Sequence, residues 1–119
     1  MGFRIARTEQ FVRDLEVIFR HLIESYVDLG DDLAFAIARA EARMSRINHH
    51  TEAIAGMPYK GTINRDLGVN IRHITKDGAI VYFSVDDQQR VVLFLAIFFG
   101  GQDHLRHMTT RLSAPSLDA

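Results

Sequence analysis

Val91-Val92-Leu93-Phe94-Leu95-Ala96-Ile97-Phe98-Phe99 is an unbroken run of nine apolar residues, and it restricts the possible folds more than any other segment of the chain. It is too short to cross a bilayer as a helix, which takes about 20 residues. β-Branched and aromatic residues dominate it and Gly100-Gly101 follows, so Arg90 to Phe99 reads as a strand. A strand with one face on a core and one in water alternates apolar with polar residues. This run does not alternate. Val91, Leu93, Leu95, Ile97 and Phe99 fill one face, which leaves Val92, Phe94, Ala96 and Phe98 on the other. One helix pair covers only one face. The second is expected to be covered by another chain, with strand curvature and the last helix as the alternative cover.

Upstream, Phe3-Arg4-Ile5-Ala6 alternates and reads as a short first strand. Thr8 stands where a helix N-cap belongs, with Glu9 in the first turn. Phe11, Leu15, Ile18, Leu22 and Tyr26 then make the stripe of an amphipathic helix. Gly30-Asp31-Asp32 breaks it, and an Asp caps a second helix with its seam at Leu33, Ile37, Ala40, Met44 and Ile47. That helix must be over by Pro58. The short turn between the two implies an antiparallel hairpin.

From Gly68 the period becomes two. Val69 to Ile74 reads as a strand, Asp77-Gly78 as a tight turn, and Ala79 to Val85 as the next strand. Asp86 to Gln89 is a polar connection, and Gln102 to Leu112 a short last helix with Leu105, Met108 and Leu112 on one side. The expected architecture is α+β: a short N-terminal strand, an antiparallel helix hairpin on an antiparallel sheet of three to four strands, and a short C-terminal helix. Residues 1–112 form one domain, and 113–119, with Pro115 and no anchoring pattern, a mobile tail.

Composition narrows the chemistry. Of 119 residues none is cysteine, which excludes disulfide scaffolds, thiol catalysis and cysteine-ligated metals. The start, Met1-Gly2-Phe3-Arg4-Ile5, lacks the apolar run of a signal peptide, so a cytoplasmic location is expected, without membrane association. Net charge is −1, from 14 Lys and Arg against 15 Asp and Glu. That balance disfavours direct DNA binding, since affinity for phosphate comes from concentrated positive charge. The charge is unevenly spread: residues 1–38 carry −3, 39–73 carry +3 and 74–119 carry −1. The basic middle reads either as a solvated helix face and loop or as a surface for an acidic partner.

Catalytic signatures are sparse. His104 and His107 share a helix face but lack further metal ligands, and His49-His50 suits a helix C-terminus better than a metal. No serine has the glycine frame of a nucleophile elbow. In Gly100-Gly101-Gln102-Asp103 the aspartate stands where a phosphate would sit, which favours helix capping over anion binding. Neither metal nor cofactor is expected. Lys60, Arg65, Arg72, His73 and His104 are the residue types that metal-free RNA cleavage needs, a base, an acid and phosphate-facing cations, but no spacing rule joins them.

Order of elements and local sequence together resemble the RelE/ParE superfamily of type II toxin–antitoxin toxins, in particular its ParE-like branch. The residues that carry the resemblance are Asp14-Leu15, Pro58-Tyr59-Lys60-Gly61-Thr62, Ile71-Arg72-His73-Ile74, Ile80 to Asp86 and Ile97 to His104, closed by Leu105 to Leu112. It spans residues 2–112. The resemblance implies a plasmid-stabilisation-type toxin that arrests growth and is neutralised by a cognate antitoxin wrapped over sheet and hairpin, in a homo- or hetero-oligomer. Phe11, Leu15, Val92, Phe94, Ala96 and Phe98 are then the expected antitoxin-binding residues, and Arg106, His107 and Arg111 the target-binding ones. ParE-like members inhibit DNA gyrase by binding, without chemistry. RelE-like members cleave mRNA on the ribosome, and in that reading Lys60, Arg72, His104 and His107 are the catalytic candidates. The chain departs from the nuclease pattern: Gly100-Gly101-Gln102 replaces the arginine at the end of the last strand, and no tyrosine follows Tyr82. With the net charge, this favours the ParE-like reading over the mRNA endoribonuclease.

Overall fold

A computed structural model describes residues 2–68, 70–99 and 104–113, without the side chains of 104–106 and 113. In chain order the elements are β1 (Arg4–Arg7), α1 (Glu9–Asp28), α2 (Leu33–Gly56), a single 3-10 turn (Pro58–Lys60), β2 (Thr62–Ile63), β3 (Ile71–Lys76), β4 (Ala79–Asp86), β5 (Val91–Phe99) and α3 (His104–Ser113).

The helix ends follow from local chemistry. The Thr8 hydroxyl accepts from the Phe11 N–H at 3.1 Å and so caps α1. Gly30, at φ +112°, turns the chain out of α1, and the Asp32 carboxylate accepts from the Phe35 N–H at 2.8 Å to start α2. Met57 caps the end of α2 and Pro58 follows it. The hairpin buries Phe11, Ile18 and Leu22 from α1 as the sequence stripe predicts. The α2 seam holds in part: Ala40 and Ile47 are buried and Met44 packs on the core as predicted, Ala36, Thr51 and Ile54 join them, and Leu33 is 60% exposed. Small residues at 36 and 40 let α2 lie close, and the apolar pattern starts one turn later.

The sheet is mixed and five-stranded, in the order β1-β5-β4-β3-β2. The predicted antiparallel set β3, β4 and β5 is present, with Asp77 and Gly78 both at positive φ in the tight turn. Two strands extend it. β1 lies parallel to β5, Arg4 opposite Val91 and Arg7 opposite Phe94, and the two-residue β2 adds to β3.

A β-bulge explains the run that does not alternate. Tyr82 faces Ala96 while Phe83 faces Phe94, so Leu95 has no partner on β4. The extra residue turns the side-chain pattern over. Val92, Phe94 and Ile97, with Ala79, Val81, Phe83 and Val85 of β4, pack under the helix hairpin in the main core. Ala96, with Ile80 and Tyr82, forms a second cluster that Leu95 and Phe98 border and that Met108 of α3 closes, itself 1% exposed.

This corrects the expectation of an open outer face. Val92, Phe94 and Ala96 are each 0% exposed and belong to two different faces. The chain covers its own second face with α3, which is the alternative the sequence allowed.

Candidate functional site

The sheet edge along β5 is where helices and strand meet most closely. β1 pairs only as far as Phe94. Beyond it the backbone edge needs other partners, because unpaired buried amides are costly. α1 supplies them. The Thr8 N–H donates to the Phe94 carbonyl at 3.1 Å, and the Thr8 hydroxyl donates to the Leu95 carbonyl at 3.2 Å, holding the bulge. One turn on, the Asp14 carboxylate accepts from the Ile97 N–H at 3.1 Å.

Asp14 also gathers α3. The Arg111 guanidinium donates to both carboxylate oxygens at 2.8 and 2.9 Å, and Gln10 adds a bond at 3.1 Å. A fork-to-carboxylate pair of this kind fixes orientation as well as energy. The same guanidinium lies 4.9 Å above the Phe98 ring, and the exposed His107 ring stacks on the ring's surface with centroids 5.7 Å apart. Between α1, β5 and α3 a cleft of about 390 Å³ remains, walled by Asp14, Val17, His21, Phe98, His107 and Arg111. Val17, at 59% exposure, adds apolar surface to its α1 wall. Chemically the cleft offers aromatic and aliphatic surface beside a neutralised ion pair, which suits a protein segment.

Of the expected antitoxin-binding residues, Phe98 borders this cleft. Phe11 is buried against Phe94, their rings stacked at 5.3 Å, and Leu15 is half-buried in the main core. Of the expected target-binding residues, His107 and Arg111 lie on the cleft wall, and the side chain of Arg106 lies outside the described residues, as does that of His104. The Gly100 to Asp103 segment and residues 114–119 of the predicted tail also lie outside them; Ser113 ends α3.

Of the catalytic candidates, Lys60, Arg72 and His107 have described side chains, and these are not brought together. Arg72 pairs with Phe83 on the hairpin side of the sheet, where its guanidinium donates to the carbonyls of Tyr59 (3.3 Å) and Gly61 (3.1 Å) and so holds the 58–61 turn. Lys60 is exposed on that turn. His107 lies against Phe98 on the opposite face, two strands away. Strand spacing alone puts about 10 Å and the thickness of the sheet between Arg72 and His107. His73 is engaged with Asn64 and packs on Tyr82. Among the described residues no three His, Asp or Glu side chains cluster to hold a metal ion. No helix of the described chain is long and apolar enough to cross a membrane.

No protein-family model and no curated protein matches the sequence. The three-dimensional arrangement does find relatives. It is similar to a chain of the chromosomal ParDE TA system from P. aeruginosa, with a TM-score of 0.63 over 84% of this chain and 98% of that one, at 17% identity. This chain shares its fold with that chain. A chain of the toxin–antitoxin complex RelBE2 from Mycobacterium tuberculosis shares it, with a TM-score of 0.53 over 83% of this chain and 99% of that one, at 15% identity. Within this fold, Asp14 and Thr8 are the residues whose positions the sequence did not reveal as a site. Thr8 reads as a cap and nothing more, and Asp14 carries only the resemblance, because their second partners, on β5 and α3, lie more than 80 residues away.

Proposed function

We propose that this chain is the toxin of a type II toxin–antitoxin pair, held inactive by a cognate antitoxin, and that it acts as a ParE-like inhibitor of DNA gyrase by binding alone. The fold, shared with chains of two toxin–antitoxin complexes, supports the toxin. The separation of Lys60, Arg72 and His107 onto a turn and two opposite faces of the sheet carries the choice of binding over chemistry. Cleavage of RNA needs an acid, a base and cations within hydrogen-bond reach of one phosphate. These three offer no such point.

In this reading the antitoxin occupies the cleft between α1 and α3, against Val17 and Phe98, with Phe11, Leu15, Val92, Phe94 and Ala96 supporting it from beneath. His107 and Arg111 on α3, together with Arg106 of the same helix, are assigned the contact with gyrase. Induced expression of the chain in a bacterial host tests the reading: growth arrest is expected, relieved by co-expression of the antitoxin from the neighbouring reading frame, with intact transcripts when mRNA 5′ ends are mapped. Codon-linked mRNA cuts would assign the chain to the ribosome-dependent endoribonucleases instead.

A further inference from the structure

The helix hairpin has a second flank. Phe19 of α1 and Met44 of α2 line a depression of about 400 Å³, walled further along α2 by Glu41, Ser45, Asn48 and Glu52. Phe19 is two residues from both Val17 and His21 of the cleft, and so lies on the opposite side of α1 from them. The four α2 residues recur at spacings of four, three and four, which places them in one stripe. Val12 and Glu16, seven and three residues before Phe19, share its face of α1 and are exposed.

The depression carries charge of one sign. Glu41 and Glu52 are exposed, and among the described residues neither forms an ion pair. No Lys or Arg lines it, and His49 is the one basic side chain on its wall. Arg46 lies with Lys76 on the other flank of α2, and Arg20 about 100° round α1 from Phe19.

We propose that this depression docks a cationic amphipathic helix of a partner protein, with apolar residues on Phe19 and Met44 and two Lys or Arg residues on Glu41 and Glu52. Charge complementarity chooses the sign: carboxylates repel the phosphates of nucleic acid and of anionic lipid, and attract a basic segment. The walls choose the shape. Both are helices whose interior backbone groups are bonded within the helix, so an extended peptide finds no main-chain partner there, whereas a docked helix satisfies its own. Glu41 and Glu52 stand three turns apart, about 16 Å along α2, which a helix matches with cations at i and i+11. Lys and Arg also lay aliphatic stems on apolar surface while the charged head stays in water. A second copy is a poor occupant, because the cationic helix α3 is engaged on its own sheet: Met108 is 1% exposed and Arg111 holds Asp14. The occupant is a different chain, and distinct from the antitoxin segment assigned to the cleft on the other side of α1.

The test uses the full chain at about 0.15 M salt, where long-range attraction is screened. The probe is an acetylated, alanine-rich helical peptide with lysine, leucine, leucine and lysine at i, i+4, i+7 and i+11. Saturable amide shifts are expected over residues 12–19 and 41–52. The Glu41→Lys, Glu52→Lys double variant is expected to bind the peptide roughly tenfold more weakly with an unchanged unfolding midpoint. Equal affinity of wild type and double variant, an equal response to a peptide of the same composition in scrambled order, or shifts centred on Phe98 and His107 overturns the docking site. The double variant is expected to keep wild-type affinity for the antitoxin. A parallel loss would make the antitoxin the occupant and overturn a separate partner, while the toxin reading stands or falls on growth arrest.

Discussion

Arg111 and Asp14, 97 residues apart in sequence, form a two-pronged ion pair that fastens the last helix to the first across the edge of β5. The Asp14 side chain is 9% exposed and that of Arg111 31%, so the pair is largely withdrawn from water. Asp14 serves the strand as well, through the Ile97 N–H. The two partners are thus unequal. Asp14→Ala removes the acceptor of a buried amide and of a guanidinium together, and is expected to cost roughly 3 kcal/mol. Arg111→Ala leaves Asp14 bonded to Ile97 and Gln10, and is expected to cost about 1–2 kcal/mol. Urea unfolding of the two variants and the double variant measures the difference and the coupling.

Phe94 and Phe98 are separated by the bulge at Leu95 and have different duties. Phe94, fully buried between Phe11 and Phe83, belongs to folding. Phe94→Ala is expected to destabilise by about 3–5 kcal/mol, and Phe94→Asp to prevent folding. Phe98 is half-buried, under His107 and Arg111. Phe98→Ala is expected to leave a folded protein that binds antitoxin less tightly, as calorimetric titration would show.

Stability should depend on pH through His50. Burial, then the Lys76 charge, lowers its pKa below the ordinary 6.5, with Asp77 opposing. The unfolded chain therefore takes up a proton that the folded chain refuses between 6.5 and the lower folded value. The contribution is complete above pH 6.5 and is lost as pH falls through that window. Denaturant unfolding at pH 7.5 and 5.5 reads the slope, and His50→Gln is expected to reduce it.

Gly61 is fixed by space. A Cβ there would lie 2.8 Å from the Phe83 Cζ, 3.1 Å from the Arg72 Cβ and 3.2 Å from the His73 carbonyl oxygen. Gly61→Ala must push the 58–61 turn off β3, at a cost of about 1–3 kcal/mol. A fall of several degrees in thermal midpoint is expected.

Elements set by near neighbours were readable from the sequence. Thr8, Asp32, Pro58 and Asp77-Gly78 each act within a few residues, and each marks the boundary or turn expected of it. Contacts set across the fold were not. Nothing in Val91 to Phe99 marks Leu95 as the bulged residue, because the choice depends on register with β4 and on the Thr8 hydroxyl. β2 has only two residues, too few to show a period. The cleft was half legible: the apolar surplus of β5 pointed to a partner, but Met108 consumes part of it, and the surface left over lies at the strand edge.

The central claim is inhibition of gyrase by binding, without chemistry on RNA. Titration of the purified chain into a DNA supercoiling reaction with purified gyrase tests it most directly. A dose-dependent loss of supercoiling that added antitoxin restores is expected. Undiminished supercoiling at a large molar excess of a folded chain would contradict it.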